Sequence, residues 1–374
     1  MINSERTPES RTNGDLPKYQ QILVELRRSI ATGHVKTGDR LPSETDLADS
    51  FSVSRLTVQR ALKELQIEGL VERRAGSGTY VLPRKECAGH LFGLLIPGLG
   101  ETEIFEPMCQ GMAKAGRIGG HALLWGHSTQ GTDEDKQFLA HQLCDDYVAR
   151  RVSGVFFAPL EGSKHKDAVN RSIVERLSAA GIAVVLLDRC IEPWPRRSRF
   201  DVVGIDNRRG GYQVTEHLLS RGCSRLLYLT RPLSAPTVNL RYSGFAEAMQ
   251  LAGLTPPEMC EGEPADLDYV RLLMQRWEPD GFVCANDVTA ATLMQTLETL
   301  GYDVPAHVKI AAFDDVRYSS LLRVPLTSLR QPCQELGETA VMAMLSRLKQ
   351  PDLPARDILL SCTLMVRKSC GSNA

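Results

Sequence analysis

Polar and charged side chains follow several apolar runs in the part of the chain beyond residue 90. They are Asp188-Arg189, Asp206-Asn207, Asn286-Asp287 and Asp314-Asp315. A carboxylate and an arginine can bind neighbouring hydroxyl groups through charge-assisted hydrogen bonds. Because ligands of open α/β folds bind beyond the carboxyl ends of the strands, this set predicts a polar ligand with many hydroxyl groups. For each aspartate taken alone, a helix cap is an equally good interpretation.

A second set of side chains, near the start of the chain, could contact DNA. It consists of Ser54, Arg55, Thr57, Gln59 and the neighbouring Arg60. Arginine can bind guanine through two hydrogen bonds, glutamine can bind adenine, and serine or threonine can reach phosphates or base edges. Periodicity alone leaves open that these residues form only the solvated face of a small helical domain.

The surrounding pattern places this second set at the start of the third helix of a small domain. Apolar residues at helical spacing predict a first helix over 19–30. Ser43 and Asp46 have the spacing of a capping box at the start of a second helix. Ser54 can cap a third helix, which Gly69 ends. Two short helices joined by a tight turn predict a helix-turn-helix, whose second helix presents its N-terminal turn to the major groove.

The segment that follows the third helix predicts a β-hairpin. Residues 70–81 read as two short strands with a glycine-containing tip. Arg73 and Arg74 precede that tip, so a contact with phosphate or with the minor groove is expected there.

These motifs, in this order, resemble the winged helix-turn-helix of the GntR family. The matching strings are PKYQ at 17–20, GDRLPSE at 38–44, VSRLTV at 53–58, EGLV at 68–71 and GSGTYV at 76–81. The resemblance implies that Arg55 lies on the DNA, that Lys18 and Ser43 approach phosphates, and that the Gly76 tip lies in the minor groove. The predicted DNA-binding residues are therefore Lys18, Arg40, Ser43, Ser54, Arg55, Thr57, Gln59, Arg60, Arg74 and Gly76.

Two positions depart from the family pattern. The family usually has arginine where this chain has Gln59, and often a polar or basic residue where it has Ala75. We expect both differences to change which operator sequence is preferred and to leave the way the domain docks on DNA unchanged.

Beyond a polar linker, the chain alternates between apolar runs and helical patterns. The predicted strands are 91–96, 122–125, 154–158, 183–187, 202–205, 225–230, 281–285 and 308–313. The predicted helices between them include 133–150, 166–180, 209–221, 240–252 and 289–301. Apolar strands with helical crossovers predict parallel sheets covered on both faces, the α/β class.

This part of the chain resembles the LacI-type effector domain, which is similar to periplasmic binding proteins. The matching strings are GIAVVLLDR at 181–189, VGIDN at 203–207, TEHLL at 215–219, AND at 285–287, AFDD at 312–315 and PLTSLRQP at 325–332. The resemblance implies a two-lobed domain that binds a sugar between its lobes. The ligand-binding residues it implies are Phe105, Asp188, Arg189, Asn239, Asn286, Asp314 and Gln331.

The ligand site also departs from the family pattern in two places. Related proteins have an arginine where this chain has Asn239, although Arg241 is two residues away. An acidic pair, Glu101 and Glu103, stands where relatives have an Asn-Pro-Phe-Phe string. The alternatives are therefore a regulator that responds to a non-sugar or acidic metabolite, and one that acts without a ligand.

Composition and motifs argue against other classes of protein. The net charge of −1 does not suit a protein that coats nucleic acid, and neither an N-terminal signal nor a long apolar run is present. The single cysteines suit a reducing cytoplasm. The Gly98-Leu99-Gly100 string lacks the later glycine of a dinucleotide fingerprint, and no zinc or catalytic motif is found. We therefore expect no enzyme activity, cofactor, metal or membrane association.

The predicted organisation is a disordered tail at 1–15, a DNA-binding domain at 16–82, a linker at 83–90 and a ligand-binding domain at 91–371. The first lobe is expected over 91–200 with a segment after Gln331, and the second over 202–328 with the last strand. The resemblance implies a cytoplasmic homodimer bound to double-stranded operator DNA, with repression relieved by a small-molecule effector.

Overall fold

The structure, a computed structural model, describes residues 18–31, 34–67, 70–74, 77–82, 89–97, 99, 103–126, 132–163 and 165–372. Contacts between residues divide the chain into two units, Met1–Cys87 and Ala88–Ala374. The predicted tail at 1–15 and most of the predicted linker lie outside the described residues. Among the described residues, no helix has the length and apolar character needed to span a membrane.

The first unit consists of three helices and a hairpin. They are α1 (Lys18–Ala31), α2 (Glu44–Phe51), α3 (Arg55–Ile67) and the antiparallel strands β1 (Val71–Arg74) and β2 (Gly78–Val81). The predicted capping box is confirmed, because Ser43 and Asp46 exchange side-chain hydrogen bonds with each other's backbone at the start of α2. One apolar core joins all five elements and includes Leu26, Leu47, Leu62, Val71 and Val81.

The second unit contains two six-stranded sheets, which define its two lobes. The sheet of the first lobe is wholly parallel, with the order β13-β7-β6-β5-β3-β4. Its strands are β3 (Leu91–Leu95), β4 (Ala122–Trp125), β5 (Gly154–Phe157), β6 (Ala183–Leu187), β7 (Asp201–Ile205) and β13 (Asp357–Leu360). Its helices are α4 (Phe105–Gly119), α5 (Asp133–Ala149), α6 (Lys166–Ala179) and α11 (Cys333–Lys349).

The sheet of the second lobe has the order β14-β12-β11-β10-β8-β9, and only its edge pair β12–β14 is antiparallel among the pairs described. Its strands are β8 (Leu226–Thr230), β9 (Cys260–Glu261), β10 (Gly281–Cys284), β11 (Lys309–Asp314), β12 (Thr327–Arg330) and β14 (Thr363–Met365). Its helices are α7 (Asn207–Ser220), α8 (Pro236–Leu251), α9 (Leu267–Trp277) and α10 (Asp287–Thr299).

Central strands such as β5 and β8 are buried along their whole length because helices cover both faces of each sheet. In β5, Phe156 contributes to the core shared with α4 and α11, while Phe157 contributes to the core shared with α5 and α6. In β8, Tyr228 and Leu229 divide in the same way between the two faces of the second sheet. Burial of each such side chain contributes roughly 1.5–3 kcal/mol.

The predicted boundary between the lobes is wrong by one strand. β7 pairs with β6 and β13 and so belongs to the first lobe, which extends to Ile205 rather than ending at Phe200. The described chain crosses between lobes after β7, between β12 and α11, and between β13 and β14. These crossings bring the ends of distant segments together beside the cleft described below.

A buried carboxylate, that of Asp201, binds the segment of α11 and β13 with which the chain returns to the first lobe. Asp201 at the start of β7 is fully buried and accepts hydrogen bonds of 2.8 Å from Arg347 Nη2 and from Arg356 Nη2. Burial alone would raise the pKa of the Asp201 carboxyl, but the hydrogen bonds from Arg356 and Arg347 hold it below its ordinary value. Asp201 therefore ties α11 and β13 to a strand far away in sequence.

Candidate DNA interface and ligand cleft

The start of α3 presents the side chains predicted to read DNA. Ser54 caps the helix, accepting a 3.3 Å hydrogen bond from the Thr57 backbone N–H, and its hydroxyl lies 2.9 Å from the Thr57 hydroxyl. Arg55, Gln59 and Arg60 are exposed on α3. The Ser54 cap therefore holds the first turn of α3. The Arg55 side chain on that turn is exposed and can reach a ligand.

Leu56 is an exposed apolar residue that the sequence analysis did not assign. Its side chain is 77% exposed beside Arg55. A leucine at such a position can contact the methyl group of thymine. The signal was present in the sequence, because Leu56 is out of phase with the buried Val58, Leu62 and Leu65 of the same helix.

Glu44 joins the recognition helix to the hairpin. Gln59 Nε2 donates a 2.9 Å hydrogen bond to Glu44 Oε2, and Arg73 of β1 forms an ion pair with Glu44 Oε1. Gln59, predicted as a base reader, therefore already has an intramolecular partner at the start of α2. This network fixes α3 and the hairpin relative to each other.

Four of the other predicted DNA-binding residues lie on α1, on α3, on the hairpin and in the capping box of α2. The Arg60 guanidinium lies 4.1 Å from the centre of the Tyr19 ring, and that of Arg74 lies 4.8 Å from the Tyr80 ring. Lys18 is exposed at the start of α1, and Ser43 is half-buried in the capping box. Gly76, like Ala75, lies outside the described residues.

Arg40 crosses the hairpin at Gly78. A Cβ atom on Gly78 would come within 2.5 Å of Arg40 Nε, and Gly78 has a φ of +125°, which favours glycine. Glycine at this position therefore permits both the backbone turn and the close approach of the Arg40 side chain, which stays exposed.

In the second unit, the strand ends of the two lobes enclose a cavity of about 300 Å³. The first lobe contributes Phe105, Lys136, Glu161, Asp188 and Arg189 to its wall. The second lobe contributes Arg231, Thr237, Arg241, Asn286 and Asp314. Five of the seven predicted ligand-binding residues are therefore brought together at this cavity.

The wall from the first lobe centres on Arg189. Its Nη1 lies 2.9 Å from Asp188 Oδ2 and 3.0 Å from Glu161 Oε2, and its Nε donates to the Pro159 carbonyl at 2.8 Å. Arg189 and Asp188 are both buried. The guanidinium is thereby fixed with two carboxylates at its side, which is an arrangement that can bind adjacent hydroxyl groups.

The wall from the second lobe centres on Arg241 and Asp314. Arg241 Nη2 lies 3.6 Å from Asp314 Oδ1, and its Nε and Nη1 donate to Asn207 Oδ1 and to the Ala285 carbonyl. Gln331 donates a 2.7 Å hydrogen bond to Asp314 Oδ1. Burial raises the pKa of the Asp314 carboxyl although the Arg241 charge opposes it.

Three of the predicted ligand-binding residues differ in how they lie relative to the cavity. Gln331 is buried beside Asp314 and does not line the cavity itself. Asn286 lines it while its Oδ1 caps α10 by accepting from the Thr289 N–H at 2.9 Å. Asn239 is exposed on α8 and is not part of the wall; Arg241, one turn apart from the buried Thr237, lies there instead.

Besides Arg241, three charged residues of the wall were not among the predicted ligand-binding residues. Glu161 and Arg231 lie just beyond predicted strands, so the strand-end rule could have found both. Lys136 lies on α5 rather than at a strand end, and no sequence signal marks it.

Two hydrogen bonds join the lobes beside the cavity. The Gly162 N–H of the first lobe donates to the Leu233 carbonyl of the second at 3.2 Å. Glu103 Oε2 of the first lobe accepts from the Arg317 N–H of the second at 3.2 Å. Glu103 is thus directed to the other lobe and is not part of the cavity wall; Glu101 lies outside the described residues.

Asp287, the first residue of α10, is another buried carboxyl of the second lobe. Asp287 accepts hydrogen bonds of 2.5 Å from the hydroxyls of Ser319 and Ser328 and one of 2.9 Å from the Val316 N–H. Burial, and then the neighbouring charge of Asp314, raise the pKa of Asp287 to about 7. Within the described residues, no cluster of His, Cys, Asp and Glu side chains has the makings of a metal site.

Comparison with known proteins identifies the families that the two units match. The family model for bacterial regulatory proteins of the gntR family matches residues 18–81, and that for a periplasmic binding protein-like domain matches residues 215–370. The arabinose metabolism transcriptional repressor of Geobacillus stearothermophilus is 28% identical over 369 residues, covering 95% of this chain and 98% of the relative.

Two further proteins are similar over most of the chain. The ribose operon repressor of Escherichia coli strain K12 is 27% identical over 343 residues, covering 90% of this chain and 94% of the relative. A solved complex of the transcriptional regulator CelR with cellobiose is 22% identical, with a TM-score of 0.63 over 84% of this chain and 90% of that chain.

The class of protein follows from these findings. The chain carries a GntR-type winged helix-turn-helix followed by a periplasmic binding protein-like domain of two parallel-sheet lobes. This is the architecture of a ligand-responsive transcriptional regulator, as the sequence predicted. The two relatives named above that match over most of their length are an arabinose metabolism transcriptional repressor and a ribose operon repressor.

Proposed function

We propose that the protein is a transcriptional repressor whose affinity for operator DNA falls when a sugar binds between the lobes of its second unit. The observation that carries this proposal is the pair of arginine–carboxylate groups, Arg189 with Asp188 and Arg241 with Asp314, on opposite walls of one cavity. Both pairs are fixed before a ligand arrives, so that hydroxyl groups can bind them without a large cost in side-chain entropy.

The names of the full-length relatives support a sugar as ligand, because those repressors are named for arabinose and ribose metabolism. The aromatic side chain of Phe105, buried at the cavity wall, could cover the apolar face of a sugar ring. No catalytic role is proposed, because the wall carboxylates are engaged by arginines rather than paired with a nucleophile.

A homodimer on a pseudo-palindromic operator is part of the proposal. Two identical winged helices bind two half-sites when a two-fold axis relates them. Closure of the lobes would change the spacing of the two DNA-binding units, and a coupling free energy of about 1–3 kcal/mol is typical of such regulation.

The proposal is tested by measuring the melting temperature of the full chain with arabinose, ribose, xylose, glucose and sugar derivatives. A ligand that binds the folded protein raises the melting temperature by mass action. We expect at least one compound to do so and to lower operator affinity in the same buffer. Binding of a sugar without any change in operator affinity would contradict the proposal.

A further inference from the structure

We propose that the ligand of the cleft is a glycoside, whose sugar occupies the cavity described above and whose uncharged aromatic substituent occupies a second cavity beside it. We call these the sugar cavity and the side cavity. The inference rests on the proposed function of the cleft as a sugar site and adds the class of sugar derivative. It makes Trp194 the residue that binds the aromatic group.

The side cavity has a volume of about 370 Å³ and is lined by residues of both lobes. The first lobe contributes the loop between β6 and β7 together with β13, and the second lobe contributes the starts of α7 and α8. Small-molecule sites have volumes of about 300–1,000 Å³, so the side cavity has room for a ligand group. A group bound there would contact both lobes, as the sugar would.

The side cavity adjoins the sugar cavity. Asp188, Arg189 and Thr237 line both of them. Asp188 and Arg189 are buried and joined by a 2.9 Å hydrogen bond from Nη1 to Oδ2, and they belong to the wall to which we assign the sugar hydroxyls. Because the two cavities share these residues, a substituent on a sugar held by them can extend into the side cavity.

The residues that line only the side cavity give it an apolar surface. Trp194 and Leu359 are among them, although their side chains are 73% and 48% exposed. Single exposed apolar residues are common, but two that line the same cavity form a patch that a ligand can cover. An apolar occupant would remove both from water, which favours binding. The other apolar residues of this wall are Pro195, Val202, Ile205, Pro236 and Leu240.

The charges of the side cavity favour an uncharged occupant. Four carboxylates and four guanidinium groups line it, so neither sign is in excess among the described residues of its wall. Arg189 pairs with Asp188. Arg197 Nη2 lies 3.0 Å from Asp357 Oδ1. The charged residues of the wall are Asp188, Glu192, Asp206, Asp357, Arg189, Arg196, Arg197 and Arg208.

Trp194 favours an aromatic occupant over an aliphatic one. Aromatic rings pack against an indole in offset-stacked or edge-to-face arrangements, and such pairs stabilise binding beyond the effect of the buried area. Trp194 belongs to the first lobe, and Leu240 of α8 lines the same cavity from the second lobe. A flat ring can therefore pack against an apolar side chain of each lobe.

The test compares matched ligands on the full chain by calorimetric titration. Arabinose, ribose, xylose and glucose are each used as the free sugar, the methyl glycoside and the 4-nitrophenyl glycoside, in both anomeric forms. The two glycosides differ only in the group that would enter the side cavity. We expect at least one 4-nitrophenyl glycoside to bind at least about ten-fold more tightly than its methyl counterpart. Cellobiose and xylobiose test whether a second sugar ring occupies the side cavity instead.

Variants then assign the preference to the side cavity. Trp194→Ala should remove most of the preference for the 4-nitrophenyl glycoside and leave the affinity for the methyl glycoside unchanged, because Trp194 does not line the sugar cavity. Trp194→Phe keeps an aromatic ring and should retain more of the preference. Leu359→Thr keeps a strand-forming residue but makes the wall less apolar, so it should also lower the preference. Trp277→Ala is the matched control, because Trp277 is an exposed tryptophan of α9 that lines neither cavity.

The outcomes separate the two proposals. A lower preference in Trp194→Ala or Leu359→Thr, but not in Trp277→Ala, supports the inference. Three results would overturn it and leave the sugar site intact: no gain from the 4-nitrophenyl group on any sugar that binds, tighter binding of a disaccharide than of the corresponding 4-nitrophenyl glycoside, or an unchanged preference in both side-cavity variants. The absence of binding by every compound would overturn the proposed function together with this inference.

Discussion

The Arg241 guanidinium and the Asp314 carboxylate face each other across 3.6 Å (Nη2 to Oδ1) at the wall of the cleft. The pair joins α8 to the end of β11, and both side chains are shielded from solvent. Arg241 has its other donors committed to Asn207 and Ala285, so it is held in place whether or not a ligand is present. A ligand that binds Asp314 therefore meets a preformed group.

Asp314→Asn should uncouple the effector from DNA binding. Asparagine keeps the shape of the side chain but removes the charge opposite Arg241, so we expect sugar affinity to fall by about ten-fold, or 1.4 kcal/mol. Operator affinity without ligand should stay unchanged, because Asp314 belongs to the other unit. Calorimetry and operator titration measure the two effects. The exposed Asp303→Asn is the control, and an unchanged effector response in Asp314→Asn would refute this placement of the cleft.

Arg55→Ala should weaken operator binding selectively. Arg55 is exposed at the capped start of α3, and loss of a bidentate contact to guanine costs about 1–3 kcal/mol. Binding of the sugar should be unaffected. Fluorescence anisotropy with labelled operator DNA at fixed salt gives the affinity, with Lys63→Ala, an exposed residue further along α3, for comparison. Equal losses for the two variants would mean that Arg55 contributes only charge.

Glu44→Gln should weaken operator binding indirectly, because Glu44 holds other residues of the first unit in position. Glu44 binds Gln59 of the recognition helix and Arg73 of the hairpin, so we expect its replacement to cost about 1 kcal/mol of operator affinity. Gln59→Ala should then cost less in the Glu44→Gln background than in the wild type, which a double-mutant cycle measures. Strict additivity of the two losses would show that Gln59 acts independently of Glu44.

Asp287 should make the stability of the second unit depend on pH. Its pKa of about 7 lies above the ordinary value of 3.8, so the folded protein holds more protons than the unfolded chain between these values. Stability from this group therefore falls as the pH rises from about 4 to about 7. Urea titrations at about pH 5 and about pH 8 should show a smaller difference for Asp287→Asn than for the wild type. An undiminished difference would contradict the assignment to Asp287.

Asp201→Asn should destabilise the first lobe. Removal of one partner from a buried ion pair costs about 3–5 kcal/mol, and Asp201 is fully buried between Arg347 and Arg356. Asp357→Asn on the adjacent β13 removes an exposed pair with Arg197 and should cost about 1 kcal/mol or less. Chemical unfolding of both variants provides the comparison, and equal losses would argue that the Asp201 cluster contributes nothing beyond a surface pair.

The sequence predicts the fold well where the local pattern is strong. The strands at β4 and β6 and the capping box of Ser43 and Asp46 are confirmed residue by residue. The last strand was expected in the second lobe, where β14 lies. The short strands β9, β12 and β13 were not predicted, because each combines a short apolar run with a polar or charged residue. The lobe assignment of β7 depends on its pairing with β6 and β13, and the strand's own residues do not reveal these partners.

Prediction of the ligand site is also limited where the role of a single residue depends on its three-dimensional neighbours. Resemblance selects Asn239, but residues four apart share a helix face, so Thr237 and Arg241 face the cavity and Asn239 does not. The acidic residues Glu101 and Glu103 suggest a change in ligand charge, but Glu103 accepts a hydrogen bond from Arg317 of the other lobe and is not part of the described cavity wall. Strand-end position could have identified Arg231, whereas its buried Nε emerges only in three dimensions.

The most direct test of the account is the affinity of the full chain for operator DNA, measured with and without the sugar that raises its melting temperature. We expect operator affinity to fall by about 5- to 150-fold in the wild type. In Asp314→Asn the same decrease should require about ten-fold more sugar. A sugar that binds this cleft and leaves operator affinity unchanged in the wild type would contradict it.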